Sequence, residues 1–100
     1  MSLGPYTYVT LSIVPAETPR LIVSFHTNEV RVRAHVIDER RPYLGFSTPE
    51  ADVSVSTTGG GPVTDADLAL ARDIYSAAAH YLADCERLHI EQSVTDQTAA

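Results

Sequence analysis

Residues 64–91, TDADLALARDIYSAAAHYLADCERLHIE, decide the fold of this chain because they predict one long, capped, amphipathic helix. Thr64 is a suitable N-cap, since its hydroxyl can accept a hydrogen bond from a free amide of the first turn. Asp65 and Asp67 follow where the positive end of the helix dipole favours carboxylates. Pro62 prevents the helix from beginning earlier.

The apolar face of this predicted helix is unusually wide. At 100° per residue it covers about half of the circumference, against a usual stripe of about 100°. The residues on that side are Leu68, Leu70, Ala71, Ile74, Tyr75, Ala77, Ala78, Tyr81, Leu82, Cys85 and Leu88. A helix about 40 Å long exceeds the width, about 20 Å, of a five-stranded sheet. We therefore expect a second protein surface to cover the remainder.

We expect that second surface to be another copy of the chain. Small residues beside aromatic rings allow two helices to approach closely. The predicted interface consists of Tyr75, Ala78, Tyr81, Leu82 and Cys85.

Before the helix, apolar and polar residues alternate with a period of two, which is typical of strands with one covered face. The predicted strands are residues 6–14, 20–26, 29–37, 43–47 and 51–56. Short links join them, so the pattern predicts an antiparallel meander of about five strands in one sheet, packed on the C-terminal helix. The fold class is thus α+β, with residues 1–91 as a single domain and residues 92–100 as a disordered tail.

The second and third predicted strands flank Thr27 and Asn28, which predict a tight hairpin turn because Asn tolerates a positive φ. A hairpin centred there pairs Val23 with Val32. A shift of one residue would mix the apolar and polar faces, so the pattern specifies the register.

Composition limits the classes of function. The net charge of −6 disfavours nucleic acid as a partner of the whole chain. The one cysteine excludes an intrachain disulfide, and no apolar segment is long enough to cross a membrane. Without a basic, apolar leader, the expected location is the cytoplasm.

One segment is nevertheless locally basic, because five of the seven arginines lie between residues 20 and 41. Arg31, Arg33 and His35, with His26 and with Tyr8 on a neighbouring strand, could form a shallow platform for an anion or a nucleic acid. The alternative is a solvated sheet face on which the arginine stems cover apolar neighbours.

Two further sequence patterns, a Cys/His pair and a glycine run, predict neither a metal site nor a phosphate-binding loop. Cys85 and His89 are one turn apart, but two ligands on one helix are a weak zinc signal, and we expect no metal and no cofactor. Gly59, Gly60 and Gly61 precede a helix, yet carboxylates occupy its first turn, so a hinge is expected there rather than a phosphate loop.

No nucleophile can be placed beside a base from the sequence, and we expect no catalytic site. The sequence therefore predicts a small, non-catalytic interaction or regulatory module that acts as a homodimer through its C-terminal helix. Binding of nucleic acid or a small anion on an arginine-rich sheet face is the alternative.

Overall fold

The computed structural model describes residues 6–57 and 61–99, with side chains as far as residue 94. The elements follow the chain as β1 (Tyr6–Ser12), β2 (Arg20–His26), β3 (Arg31–Ile37), β4 (Arg41–Ser47), β5 (Asp52–Val55) and α1 (Asp65–Ala99). Every strand pair is antiparallel. The α+β class, with five strands before one long C-terminal helix, is confirmed. Gly59, Gly60 and the start of the predicted hinge lie outside the described residues.

The strands form two sheets rather than the single predicted one. β1 and β2 make a two-stranded sheet, and β3, β4 and β5 make a three-stranded sheet with β4 in the centre. Val9 lies opposite Val23 in the first sheet. In the second, Val32 lies opposite Phe46, which in turn lies opposite Val53. Each register therefore keeps apolar residues together on one face, as the period of two requires.

The predicted hairpin between β2 and β3 is wrong. Val23 pairs with Val9 and not with Val32. A tight two-residue hairpin turn of type I′ or II′ would have needed a positive φ at Thr27, and a β-branched residue disfavours that conformation. Instead, the Thr27 hydroxyl accepts a hydrogen bond from the backbone N–H of Glu29 (3.0 Å), and the chain leaves the first sheet here.

The turn that closes β1 and β2 begins at Val14. The backbone N–H of Glu17 donates to the carbonyl of Val14 (3.1 Å), Pro15 occupies the second position, and Ala16 has φ of 67°. Proline followed by a positive φ is the arrangement of a type II turn. This position normally takes glycine, so Ala16 is held in an unfavourable conformation.

The turn between β3 and β4 contains two consecutive residues with positive φ. Asp38 has φ of 52° and Glu39 has φ of 57°, and the N–H of Arg40 donates to the carbonyl of Ile37 (3.0 Å). Positive φ at both central residues characterises the type I′ turn, whose twist matches that of an antiparallel pair. This turn sets β4 beside β3, with Arg41 opposite Ile37.

The third turn, between β4 and β5, was predicted at residues 48–50 and is organised by Thr48. Its hydroxyl accepts hydrogen bonds from the N–H groups of Glu50 (3.3 Å) and Ala51 (3.2 Å). A Glu50 carboxylate oxygen in turn accepts a bond from the hydroxyl of Thr7 on β1 (3.0 Å), so this turn also links the two sheets.

The sheets expose much of the apolar surface that the sequence pattern assigns to a core. No hydrophobic side chain among the described residues is buried. Leu11 is 60% exposed and Val32 is 59% exposed. The half-buried aliphatic and phenylalanine residues of the sheets are Val23, Phe25, Ile37, Leu44, Phe46, Val53 and Val55. The alternation is therefore present, but in the single chain its apolar faces remain largely accessible.

The helix begins as the sequence predicts, and its start is closed by two reciprocal hydrogen bonds. The N–H of Asp67 donates to the Thr64 hydroxyl (3.2 Å), and the N–H of Thr64 donates to the Asp67 carboxylate (2.8 Å). This arrangement is a capping box in which aspartate takes the usual place of glutamate. Two free donors of the first turn are thereby satisfied.

The C-terminal end of the helix differs from the sequence pattern, which ends the apolar repeat near residue 91. α1 continues to Ala99 and has 35 residues. A helix can continue beyond the end of its apolar stripe, because its backbone hydrogen bonds do not require apolar side chains. The apolar periodicity therefore does not locate this end. The chain divides into two structural units between residues 60 and 61. The single-domain assignment stays a prediction.

No helix in the described part of the chain is both long and apolar enough to cross a membrane.

Candidate interaction surfaces

Two surfaces contain the residues that the sequence singles out. The first is the apolar stripe of α1, which we call the tyrosine stripe and define by Tyr75, Ala78, Tyr81, Leu82 and Cys85. The second is the arginine row, defined by Arg31, Arg33 and His35 on β3.

All five members of the tyrosine stripe are exposed. Tyr75 is 77% exposed, Tyr81 is 73% exposed and Leu82 is 58% exposed. The Cys85 thiol is free and exposed as well. With Ala78 taken as 0°, the 100° advance per residue places the five between −60° and +60°, so they form one continuous face. Isolated exposed apolar residues are ordinary on a protein surface, whereas continuous exposed apolar patches are uncommon on monomeric proteins.

The opposite side of the helix carries charge that is already paired. Arg87 forms ion pairs with Asp84 (3.5 Å) and Glu91 (3.5 Å), at spacings of three and four residues. These side chains are more than half exposed, so their pairs are weakly stabilising. The helix thus separates a solvated charged face from the exposed tyrosine stripe.

The arginine row follows the alternation of β3. Arg31, Arg33 and His35 occupy alternate positions, and all three are exposed. Their partners on β4 are Ser47, Gly45 and Tyr43, in that order. Neither Arg31 nor Arg33 has an ion pair with another described residue. The row is therefore a line of three polar side chains on one sheet face.

Tyr43 is a member of this face that sequence reasoning missed. Its ring lies 4.7 Å from the ring of His35, with an interplanar angle of 41°. It also covers Gly45, where an added Cβ would lie 2.7 Å from the Tyr43 hydroxyl oxygen. Gly45 is buried as a result. The signal that could have found Tyr43 was the short link between the predicted strands 29–37 and 43–47, which sets β4 beside β3.

The remaining members of the predicted platform lie on the other sheet. His26 stacks on Tyr6 of the neighbouring strand, with ring centroids 4.5 Å apart and planes 15° apart. Tyr8 lies opposite Ser24. Since β1 and β2 are not paired with β3, the predicted set of five residues is divided between two sheets. The structure brings Arg31, Arg33 and His35 together on one strand, and it does not place His26 or Tyr8 beside them in a ladder.

Two surface depressions are lined by charged residues, with both signs of charge in the first and only carboxylates in the second. One, at the turn between β3 and β4, is lined by Ile37, Asp38, Arg40 and Arg41. Another is lined by Tyr6, Thr27, Glu29, Pro49 and Glu50. Neither combines a nucleophile with a neighbouring base. Among the residues that the structure describes, no three or more His, Cys, Asp or Glu side chains form a group suited to a metal ion.

Comparison with protein-family models, with curated proteins and with solved structures finds no match to this chain. Function must therefore be inferred from its own surfaces.

Proposed function

We propose that this protein is a small, non-catalytic interaction module of the cytoplasm that acts as a homodimer through its C-terminal helix. The observation that carries the proposal is the exposure of the tyrosine stripe. Tyr75 and Tyr81 are both more than 70% exposed on one face of a 35-residue helix.

Covering this face gives a clear energetic advantage. Burial of apolar surface contributes roughly 25 cal/mol per Å², and a large apolar side chain contributes about 1.5–3 kcal/mol when fully covered. Aromatic residues are enriched at interfaces, because their rings are apolar while the tyrosine hydroxyl can remain at the wet edge. The stripe therefore has the composition of the centre of an interface rather than that of a solvated helix face.

A second copy of the chain is the occupant that the stripe itself supports. In a two-fold dimer the same patch occurs on both partners and must complement itself. The stripe places the small residues Ala78 and Cys85 among larger ones, so the bulky groups of one helix can enter the spaces beside the small groups of the other.

The experiment is a measurement of mass in solution by light scattering or sedimentation equilibrium, across a concentration series that reaches the high micromolar range. We expect twice the chain mass of 10.8 kDa. A strict monomer throughout the series would overturn the proposal.

A pair of variants locates the interface. Leu82→Glu places a charge within the stripe, whereas Ala83→Glu adds the same charge one residue later, on the solvated side. We expect Leu82→Glu to shift the equilibrium towards monomer by at least tenfold, because a buried carboxylate must be desolvated. Ala83→Glu should keep the wild-type mass. Equal effects of the two variants would show that charge alone, and not the stripe, controls association.

A second candidate function is favoured by the arginine row. Its two guanidinium groups have no ion pair among the described residues, and the His35–Tyr43 ring pair lies at its end. Arginine and aromatic rings together suit binding of phosphate groups and stacking of unpaired bases. We propose this face as a site for single-stranded nucleic acid or a small anion, secondary to dimerisation because the net charge of the chain is −6.

Its test is titration of a labelled single-stranded oligonucleotide and a matched duplex at low and moderate salt. Binding should weaken as salt increases, because phosphate contacts release counterions. Arg31→Ala/Arg33→Ala should abolish binding, whereas Arg72→Ala/Arg87→Ala, which removes equal charge from the helix, should not. Absence of binding at low salt would remove this candidate.

A further inference from the structure

We infer that the free edge of β3 is a docking site for an extended, acidic peptide segment of a partner protein, which adds to the three-stranded sheet as a further strand. This inference goes beyond the proposed dimer, because it concerns the sheet and not the helix. It also gives the arginine row an occupant that differs in class from the nucleic acid of the second candidate function.

β3 has one paired edge and one unpaired edge. The strand order is β3–β4–β5, so the edge of β3 away from β4 pairs with no other strand that the structure describes. Such an edge presents a row of backbone N–H and C=O groups, on which an extended segment can form a ladder of hydrogen bonds. At seven residues, β3 is as long as any other described strand, so the edge offers a ladder of full length.

The two faces of β3 define the side chains that this segment needs. On one face lie Arg31 and Arg33, both exposed. On the other face, Val32 is 59% exposed and Val36 is 56% exposed. Residues directly opposite on neighbouring strands are close enough for opposite charges to pair and for β-branched side chains to pack. The complementary segment therefore alternates carboxylates with apolar residues.

The other free edges of the described strands lack this charge pattern. β1 contains no arginine, lysine, aspartate or glutamate. β2 contains one of these residues, Arg20, and β5 contains one, Asp52. Two like charges at alternate positions occur on the edge of β3 alone among them, so the preference for an acidic occupant belongs to this edge.

A second copy of the chain fits this edge less well. Antiparallel pairing of two β3 strands would place the arginines of both on one face, where opposed like charges are unfavourable. β5 has the required alternation, but it has four residues and one carboxylate, that of Asp52. Its pairing with β3 of another copy would be a head-to-tail contact, which continues from copy to copy instead of closing. A separate peptide meets both arginines without extending the assembly.

A nucleic acid would use the same charges but not the same edge. Its phosphates can contact Arg31 and Arg33. Its sugar–phosphate backbone lacks the alternating N–H and C=O groups that pair with a strand edge, and phosphates do not cover Val32 and Val36. The unpaired edge and the exposed apolar face together favour a peptide.

Titration of the full chain with labelled peptides, followed by fluorescence anisotropy, tests the inference. The probe is a seven-residue peptide, the length of β3, that alternates glutamate with valine and has blocked ends. A peptide of the same composition, with its glutamates and valines in separate blocks, is the matched control. We expect the control to bind roughly tenfold more weakly, because only alternation presents carboxylates to one face of β3 and valines to the other.

Two backbone variants of the probe show whether the edge takes part. N-methylation of the glutamates removes the N–H groups on one side of the peptide strand, and N-methylation of the valines removes those on the other side. One of the two peptides should lose binding, because its missing donors face β3. Unchanged binding of both would show a contact through side-chain charge alone and would overturn the inference.

Charge reversal on the protein locates the contact. Arg31→Glu/Arg33→Glu should lose affinity for the glutamate probe and gain affinity for a peptide that alternates lysine with valine. Arg20→Glu/Arg72→Glu reverses equal charge away from β3 and should keep the wild-type preference. Arg31→Ala/Arg33→Ala is a milder change that should also lose affinity, and circular dichroism checks that each variant is folded.

Three further outcomes separate this inference from the proposed functions. Binding of a single-stranded oligonucleotide, with none of the glutamate probe, would overturn the inference in favour of the second candidate function. Assemblies larger than a dimer that Arg31→Ala/Arg33→Ala dissolves would also overturn it, since β5 of a second copy would then be the occupant. A monomeric mass in solution with probe binding intact would overturn the dimer and support the inference.

Discussion

The side chain of Tyr43 lies over Gly45, two residues along the same strand, so closely that a Cβ on residue 45 would be 2.7 Å from the tyrosine hydroxyl oxygen. The same ring contacts His35 on β3 at 4.7 Å. Glycine at position 45 therefore leaves room for the Tyr43 ring on this sheet face. The ring in turn covers a strand position that glycine alone would leave without side-chain packing.

Gly45→Ala is expected to destabilise the three-stranded sheet by about 1–3 kcal/mol, the usual cost of forcing a methyl group into an occupied space. The tyrosine ring would have to move, and its contact with His35 would be lost. Thermal unfolding followed by circular dichroism at fixed protein concentration measures the change.

The double variant Tyr43→Ser/Gly45→Ala provides the control. With the ring absent, the added methyl group meets no obstacle, so the cost of Gly45→Ala should largely disappear in this background. An equal cost in both backgrounds would mean that residue 45 requires glycine for another reason.

The backbone of Ala16, in the turn at residues 14–17, is strained, and a substitution can relieve that strain. Ala16 has φ of 67°, a conformation that glycine adopts at little cost. We expect Ala16→Gly to stabilise the hairpin of β1 and β2 by about 0.5–1 kcal/mol, because relief of the steric cost exceeds the added freedom of the unfolded chain.

Ala34→Gly is the matched control, since Ala34 lies within β3 and has no positive φ. There the same substitution should destabilise the protein by a similar amount, because glycine weakens a strand. Hydrogen exchange of the amides in β1 and β2 would locate the effect of Ala16→Gly. Loss of protection in those strands would contradict it.

The absence of pairing between β2 and β3 distinguishes the observed fold from the predicted meander, in which β2 pairs with both neighbours. Val9 and Val23 are opposite one another in the first sheet. Directly opposed residues have Cα atoms about 4.5–5.5 Å apart, within the range of a disulfide. In a Cys85→Ser background we expect Val9→Cys/Val23→Cys to form an intrachain disulfide under mild oxidation.

The variant Val23→Cys/Val32→Cys tests the competing pairing. In the same Cys85→Ser background it should keep two free thiols at high dilution, as measured by thiol labelling and mass spectrometry. Rapid formation of an intrachain disulfide between these two positions would favour the single meander over two sheets.

Sequence reasoning located the elements better than it located their partners. β2 was predicted at the observed residues, and Thr64 was predicted as the N-cap that the structure shows. Both signals are local, because alternation and capping depend on neighbours in the chain. The predicted meander also placed β2 beside both β1 and β3, whereas the structure pairs β2 with β1 and not with β3. Links were expected at residues 15–19 and 38–42, but their turn types were not, because Ala16, Asp38 and Glu39 adopt positive φ without being glycine or asparagine.

For the candidate surfaces too, the sequence predicted what depends on neighbours in the chain and missed what depends on pairing between strands. Arg31, Arg33 and His35 lie on one face because they occupy alternate positions of one strand. That spacing can be read from the sequence alone. Tyr43 lies beside them because β4 pairs with β3. His26 is separated from them because its strand, β2, pairs with β1 and not with β3. Only the pairing of β2 with β3 was wrong, and that pairing is the one that would have set His26 beside the row.

The capping box supplies the last prediction, because it closes the helix on which the proposed dimer depends. Thr64 and Asp67 exchange two hydrogen bonds, of 3.2 Å and 2.8 Å, between side chains and backbone amides. Thr64→Ala removes one of these acceptors and is expected to cost about 1 kcal/mol. Thr64→Ser keeps the hydroxyl and should retain most of the stability.

Asp67→Ala should cost a similar amount, and the double variant Thr64→Ala/Asp67→Ala should cost less than the sum, because either single change already breaks the reciprocal arrangement. Helix content by circular dichroism and thermal unfolding at one fixed concentration measure these effects, since association would otherwise change the apparent stability. Strict additivity of the two single variants would show that the hydrogen bonds act independently. Since the cap and the stripe lie on one continuous helix, Thr64→Ala should also weaken dimerisation, by less than Leu82→Glu does, because it frays the first turn without altering the apolar contact.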